Sequence, residues 1–479
     1  MLVAALRQRI LELAIQGKLV PQSPEDGTAE ELYQQIQQEK KKLIAAGKLK
    51  KEKPLPPISE DEIPFDIPES WKWVRLGDVF EIITGKTPSK GDIHNYTPAV
   101  VPFYKPADIG QALHIGEAIQ QVSEKGSLSA PLLPKGAILV SCIGSIGKCA
   151  IIDKEGICNQ QINAVIPSLI NIEYCLCVLR SEYAVNAERD SSRATTIAIL
   201  NKQKFSKICI PLPTLAEQRR IAEKVCTLFA ELDAIEQSQE KVAAIQTELN
   251  KRILERAIQG KLVPQRPEEG TAEELYQQIQ KEKKKLIVAG KLKKEKPLPP
   301  ISEDEIPFDI PESWKWVHMG DVFAHNTGKA QNSTAETRNG ILRKFITTSN
   351  VYWNRFDFSK VKEMLFTEKE IEKCSVQKGD LLVCEGGDCG RAAIWQDDES
   401  MCIQNHIHRL HPYVGVDIMF FYYVFLLLKQ KGHINGKGVG IKGLSSNTLH
   451  KLPCPLPPLK EQRRIVEKIE KCWHSVPNK

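Results

Sequence analysis

No stretch of this chain holds the roughly 18 consecutive apolar residues that a membrane-spanning helix needs. The most apolar segment, Ile418 to Leu428, is too short and reads as a buried helix or strand. The N-terminus, MLVAALRQRILELAIQGK, has no charged region leading to a cleavage site, so no secretory signal is expected. The 13 cysteines lack any pairing pattern: they are scattered and odd in number, and Cys175-Leu-Cys177 has the wrong spacing for zinc. Reduced thiols and a cytoplasmic location follow. Neither charge sign dominates; a net charge of +6 is compatible with a polyanionic partner but is weak by itself.

Catalytic signatures are missing too. Gly85-Lys86-Thr87 looks like the end of a phosphate-binding loop, but the glycine required five residues earlier is Phe80. Gly438-Val-Gly440-Ile-Lys-Gly443 follows no apolar strand and reads as a flexible loop. No Asn/Asp-Pro-Pro-Tyr/Phe methyltransferase motif is present (Ile63-Pro-Phe lacks the amide), and no nuclease cluster of acids with Glu-x-Lys stands out. His406 and His408 alternate along a strand pattern, which predicts one buried and one exposed ring and no metal site. No catalytic residue is assigned.

What the sequence does have is itself, twice. Residues 10–74 recur at 253–317, differing only at Leu13/Arg256, Ser23/Arg266, Asp26/Glu269, Gln38/Lys281 and Ala45/Val288. PLPTLAEQRRIAEKV at 211–225 recurs as PLPPLKEQRRIVEKI at 455–469. Between them lie dissimilar blocks that share a skeleton. Gly77-Asp78-Val79-Phe80 matches Gly320-Asp321-Val322-Phe323, and Thr84-Gly85-Lys86 matches Thr327-Gly328-Lys329. Lys135-Gly136 matches Lys378-Gly379, Gly144, Gly147 and Lys148 match Gly387, Gly390 and Arg391, and Cys158-Asn159-Gln160 echoes Cys402-Ile403-Gln404. One fold used twice with different surfaces is expected, its near-identical ends meeting like partners and its divergent middles unlike ones. The expected divisions are an N-terminal helix and basic Pro-rich linker (1–75), a first variable domain (76–210), a long helix with the repeated linker (211–318), a second variable domain (319–454) and a C-terminal helix (455–479).

Leu215 to Ile258 contains no proline or glycine and carries a heptad of apolar residues. Ile221, Leu228, Ile235, Val242 and Leu249 take one seam position, and Val225, Leu232 and Ile253 the other. Such a helix spans about 66 Å, nearly two turns of duplex DNA. Met1–Gln16 repeats its end and Leu459–Trp473 its start, with Ile465 and Ile469 on the stripe, so the two chain ends are expected to lie close together as the antiparallel partner of a pseudo-two-fold coiled coil. The second copy of the helix stops early, at CWHSVPNK, leaving about 14 residues without a counterpart. Each linker carries a polar helix, from Thr28 to about Ala46 in the first copy, then a lysine-rich, proline-rich stretch.

PLPPLKEQRRIVEKI, IPESWKWVRLGDVF and KGVGIKGLSSNTLHKLPCPLPPL resemble segments of Type I restriction-modification DNA-specificity subunits, as does the alternation of two variable and two shared regions over essentially the whole chain. The resemblance implies an α/β (α+β) fold with two target-recognition domains separated by long antiparallel coiled-coil helices. It implies that each domain reads half of a bipartite site in double-stranded DNA, and that the chain assembles with two methyltransferase and further restriction subunits. S-adenosylmethionine, ATP and magnesium would belong to those partners and none to this chain. A scaffold displaying two variable modules to something other than DNA is the alternative.

Groove reading needs donors and acceptors on loops: Arg or Lys for guanine, Asn or Gln for adenine, cations and hydroxyls for phosphates. In the first block Lys86, Thr87, Ser89, Lys90, Lys148, Gln160, Gln161 and Asn163 have this chemistry. In the second they are Lys329, Asn332, Arg343, Lys344, Asn350, Tyr352, Arg391, Gln404, Asn405 and His406.

Overall fold

A computed structural model describes residues 2–110, 112–144, 146–192, 199–294, 296–331, 340–434 and 444–474. The chain divides into two compact units, Met1–Glu240 and Lys241–Lys479.

In the first unit, the strand Lys72–Arg75 at the end of the repeated linker pairs antiparallel with Cys209–Leu212, which leads into the second repeated motif. This ribbon ties together the two ends of the variable block. Inside the block a five-stranded sheet runs in the order Glu81–Thr84, Ile162–Ile166, Ile138–Ser141, Cys149–Ile152, His114–Ile115. A smaller sheet carries Gln121–Val122, Val101–Tyr104 and Ile157–Cys158. The central strands are buried along their whole length, which explains their continuous apolar sequence. Helix Ile172–Arg180, capped by the Asn171 side chain, is buried from Tyr174 to Leu179 in the same core as Ile138, Val140 and Val165.

The second unit repeats the plan. Lys315–His318 pairs with Pro453–Leu456. A four-stranded sheet has the order Phe323–Thr327, Ile407–Pro412, Leu381–Cys384, Ala392–Ile394, and Lys362–Phe366, Ile341–Ile346 and Cys402–Ile403 form a second. The apolar segment at 418–428 is a helix, Ile418–Gln430, with Phe420, Phe421, Val424 and Phe425 in the core.

The shared segments dock onto one another within each unit through the same bonds. Trp71 Nε1 donates to Glu217 Oε2 at 2.8 Å, and Trp314 Nε1 to Glu461 Oε2 at 3.0 Å. Gln22 Nε2 donates to Glu217 at 2.5 Å, and Gln265 Nε2 to Glu461 at 2.6 Å. Arg220 pairs with Asp26 and Arg464 with Glu269, each at 2.6 Å, so one of the five linker differences keeps its charge and partner. Gly17 and Gly260 take φ of +69° and +70°, and a Cβ on either would lie 2.4 Å from the proline ring of Pro68 or Pro311. The near-identity of the two copies thus has a partner inside the chain: each linker must fit the start of a PLP-x-L-x-EQRR helix.

The long helix runs unbroken over Leu215–Ile258, 44 residues. Leu2–Ile15 lies antiparallel along its start, Arg7 pairing with Asp233 and Glu236 while Gln22 reaches Glu217. Ile221, Val225 and Leu232 are buried there, and Leu228 is half-buried. At its other end Leu254, Ala257 and Ile258 share a core with Ile465 and Ile469 of Leu459–His474, and Ile253 is half-buried. Between these ends Ile235, Val242 and Leu249 are exposed, at 47, 59 and 45%. Among the described residues the buried heptad positions thus lie toward its two ends.

Candidate nucleic-acid interface

Antiparallel register brings the predicted loops of the first unit to one end of its main sheet. Thr84 sits opposite Asn163, Ser141 opposite Ile162 and Val140 opposite Cys149. The loops that leave these positions, 85–90, 142–148 and 159–161, therefore share a rim. Backbone bonds lock them together: Lys86 N to Cys158 O at 2.8 Å, Cys142 N to Gln161 O at 2.9 Å, and Ser141 N to Lys148 O at 2.9 Å. Gly85 makes the first crossing possible, because a Cβ there would lie 2.3 Å from the Cys158 and Asn159 carbonyl oxygens.

On this frame Lys86, Ser89, Lys90, Lys148 and Gln160 are exposed, and Thr87 and Gln161 are half-buried. Thr87 Oγ1 donates to Gln160 Oε1 at 2.6 Å, joining two loops through their side chains. Asn163 departs from the expectation. It is fully buried, its amide donates to Leu200 O at 2.9 Å and its oxygen accepts from Thr84 Oγ1 at 2.7 Å. With both ends of the amide spent inside, Asn163 positions the rim and is withdrawn as a base reader.

The second unit builds the same rim from different residues. Thr327 faces His408, Cys384 faces Ile407 and Val383 faces Ala392, so loops 328–331, 385–391 and 404–406 converge. Lys329 N donates to Ile403 O at 3.1 Å, Glu385 N to His406 O at 3.0 Å, and Cys384 N to Arg391 O at 2.8 Å. Gln404 and Asn405 are half-buried, and His406 is exposed with Nδ1 3.3 Å from Glu385 Oε2. Arg343 and Lys344 are exposed on neighbouring positions of the strand Ile341–Ile346, hence on opposite faces.

Two expectations change here, and a third lies outside the described residues. Lys329 is held by Glu370 Oε2 at 2.8 Å and Leu365 O at 3.0 Å, and that pairing keeps the Glu370 carboxyl below its ordinary range; the lysine braces the rim and does not project from it. Asn350 is buried, its oxygen accepting from Thr347 N and Oγ1 and its amide donating to Asp357 O and Lys360 O, so it too is withdrawn as a reader. Asn332 lies outside the described residues, as does the Gly438–Gly443 segment.

Tyr352 gains a setting that the sequence alone did not give it. It begins a tight hairpin, Val351–Tyr352 with Arg355–Phe356, whose Asn354 takes φ +50°. Its ring meets the Arg355 guanidinium at 4.5 Å and that of Arg391 at 5.2 Å. Arg391 is anchored further by donating to Thr348 O at 2.5 Å. Arg355 escaped the sequence reading; the available signal was a Tyr-Trp-Asn-Arg turn between apolar residues.

His408 is buried and His406 exposed, as strand alternation predicts. His408 contacts His325 at 3.0 Å and Leu444 O at 2.6 Å. Burial, then the neighbouring ring, pushes His325 down to about 3, and burial lowers His408 as well. The cysteines are free thiols, eleven of them buried, and burial pushes Cys149 and Cys158 up to about 12, away from nucleophilic use. Among the described residues no group of three or more His, Cys, Asp or Glu side chains is placed to hold a metal ion, and no helix is long and apolar enough to cross a membrane.

Residues 68–244 and 311–473 match the family described as the Type I restriction modification DNA specificity domain. The chain is 28% identical to the specificity subunit of the Type I restriction enzyme EcoEI of Escherichia coli, over 98% of this chain and 88% of that one. It is 27% identical to the EcoAI specificity subunit of the same organism over the same shares. In fold it is similar to the HsdS subunit from Thermoanaerobacter tengcongensis, with a TM-score of 0.55 and 18% identity over 86% of this chain and 91% of that one.

Proposed function

The chain belongs to the Type I restriction modification DNA specificity family, and on that premise we propose that it is the DNA-reading subunit of such a system, with one half-site read by residues 76–210 and the other by 319–454. One observation carries this reading. The same three-loop rim, held by corresponding backbone bonds, occurs in both units, and the side chains on it differ. Lys86, Lys90, Lys148 and Gln160 occupy one rim; Arg391, Gln404, Asn405 and His406 occupy the other. Phosphate contacts from the cations supply salt-dependent affinity, and the amides and Arg391 supply base discrimination.

The chain performs no bond chemistry itself. It works in the cytoplasm with two methyltransferase subunits and with restriction subunits. S-adenosylmethionine, ATP and magnesium bind to those partners. The segments 1–75, 211–318 and 455–479 are the framework on which they assemble.

Exchange of residues 319–454 for the corresponding block of another family member, followed by mapping of methylated adenines in the host genome, tests this. One half of a bipartite motif is expected to change while the other half persists. An unaltered motif overturns the reading.

A further inference from the structure

The repeat ends one residue before a substitution with chemical consequences: WKWV is followed by Arg75 in the first copy and His318 in the second. Both side chains are buried, at 2 and 5% exposure, and both bridge the same two segments. Arg75 donates from Nε to Pro56 O at 2.7 Å and from Nη1 to Lys207 O at 2.6 Å. It also donates to Pro57 O at 3.0 Å and holds both oxygens of Glu62. The first Pro-rich stretch is thus clipped to the base of its variable block.

His318 occupies the matching place with two nitrogens instead of five N–H groups. Its Nε2 lies 2.9 Å from Pro299 O and its Nδ1 lies 2.8 Å from Lys451 O. Both neighbours are carbonyls, which only accept. A neutral imidazole carries one N–H, so one of these contacts would set a lone pair against a carbonyl oxygen. Only the imidazolium donates to both.

Its charged surroundings come from three directions. Glu305 faces it from the linker. Asp321, from the following helical turn, accepts from the His318 backbone N–H at 3.4 Å. On the far segment Lys451 supplies the carbonyl, and the His450 ring covers Gly320 two residues on.

We propose that His318 is a proton-dependent clip: it fastens the second Pro-rich segment to its variable block when both ring nitrogens are protonated and loosens it when one proton leaves, whereas Arg75 keeps the first copy fastened at any pH. The inference rests on hydrogen-bond geometry and is independent of what the rims bind.

Hydrogen–deuterium exchange on the full chain between pH 5.5 and 8.5, corrected for intrinsic rates, tests it through the two copies of one peptide. Exchange in residues 296–306 is expected to accelerate roughly tenfold or more as pH rises, from loss of a charge-assisted bond. Residues 53–63 serve as the internal control and stay flat. His318→Arg should flatten the second copy, and Arg75→His should confer the pH response on the first. Equal pH responses of the two segments in the native chain, or a response that survives His318→Arg, overturns the proposal.

Discussion

Trp71 Nε1 donates to Glu217 Oε2 at 2.8 Å, joining the end of the repeated linker to the first turn of the long helix. Glu217 is 1% exposed, and burial raises its carboxyl above the ordinary range against the opposing effect of Trp71 and Gln22. Trp71→Phe keeps the ring packed near Tyr174 but strips the buried carboxylate of one donor. A loss of about 1–3 kcal/mol is expected, read by urea denaturation followed by circular dichroism. Trp314→Phe should cost a similar amount, since Glu461 is held in the same way. Unchanged midpoints for both would show that the docking bond contributes nothing.

Gly85→Ala should damage the first rim without touching any polar side chain. The added Cβ would meet two backbone oxygens at 2.3 Å, and neither can rotate away. Overpacking of this kind costs about 1–3 kcal/mol. Limited proteolysis should cut loops 85–90 and 142–148 faster than in the native chain, and Gly328→Ala should do the same in the second unit, where the nearest oxygen would be at 1.8 Å. Equal cleavage rates would argue that the loops are not braced by this crossing.

Glu188 carries the clearest pH signature. It is 1% exposed, neither carboxyl oxygen has a hydrogen-bond partner among the described residues, and burial pushes it up to about 8. The folded protein therefore binds this proton more tightly than the unfolded chain does. Its stabilising effect is complete below the unfolded value of 4.5 and fades as pH rises to about 8. Glu188→Gln, neutral and of nearly the same shape, should abolish that decline and exceed the native protein at pH 8 by a few kcal/mol, on the order of 3. Thermal melts across pH 5–8 decide it: parallel curves for the two proteins would exclude a protonated Glu188.

The long helix was legible to the residue because a heptad without proline or glycine, entered through Pro211-Leu-Pro213, leaves little room for another structure. What covers that heptad was not legible. Apolar spacing shows that a stripe exists, and only the fold shows that Val242 and Leu249 stay exposed among the described residues. The rims were half legible. Matching glycines marked where loops turn, but Asn163 and Asn350 show the limit of polar residue type as a guide. An amide on a loop looks the same in sequence whether it faces solvent or closes the loop from within. Ile418–Gln430 was ambiguous between helix and strand for the opposite reason: with apolar residues on every side, no period distinguishes the two.

Lys148 is exposed beside Gly147 and contributes only its backbone oxygen to the rim, so Lys148→Ala leaves the Ser141 bond intact. If Lys148 holds a phosphate as proposed, its loss should weaken binding of the assembled complex to all duplexes alike and lower the salt slope by about 1. Titrations at several salt concentrations, on cognate and scrambled DNA, provide the check. A change confined to the cognate site would make Lys148 a base reader instead.

Tyr352 predicts the converse behaviour. Its ring meets both Arg355 and Arg391, and so limits where two guanidinium groups can point. Guanine recognition by arginine depends on a fixed bidentate geometry, so freeing these side chains should cost discrimination more than affinity. Tyr352→Ala is expected to keep the salt slope, because no cation is removed, while the preference for the native second half-site falls by about 1–3 kcal/mol. Preference for the first half-site should not change. Competition binding with duplexes altered in one half at a time separates these effects. A uniform loss over both halves would mean that the hairpin serves the stability of the unit and not the aim of its arginines.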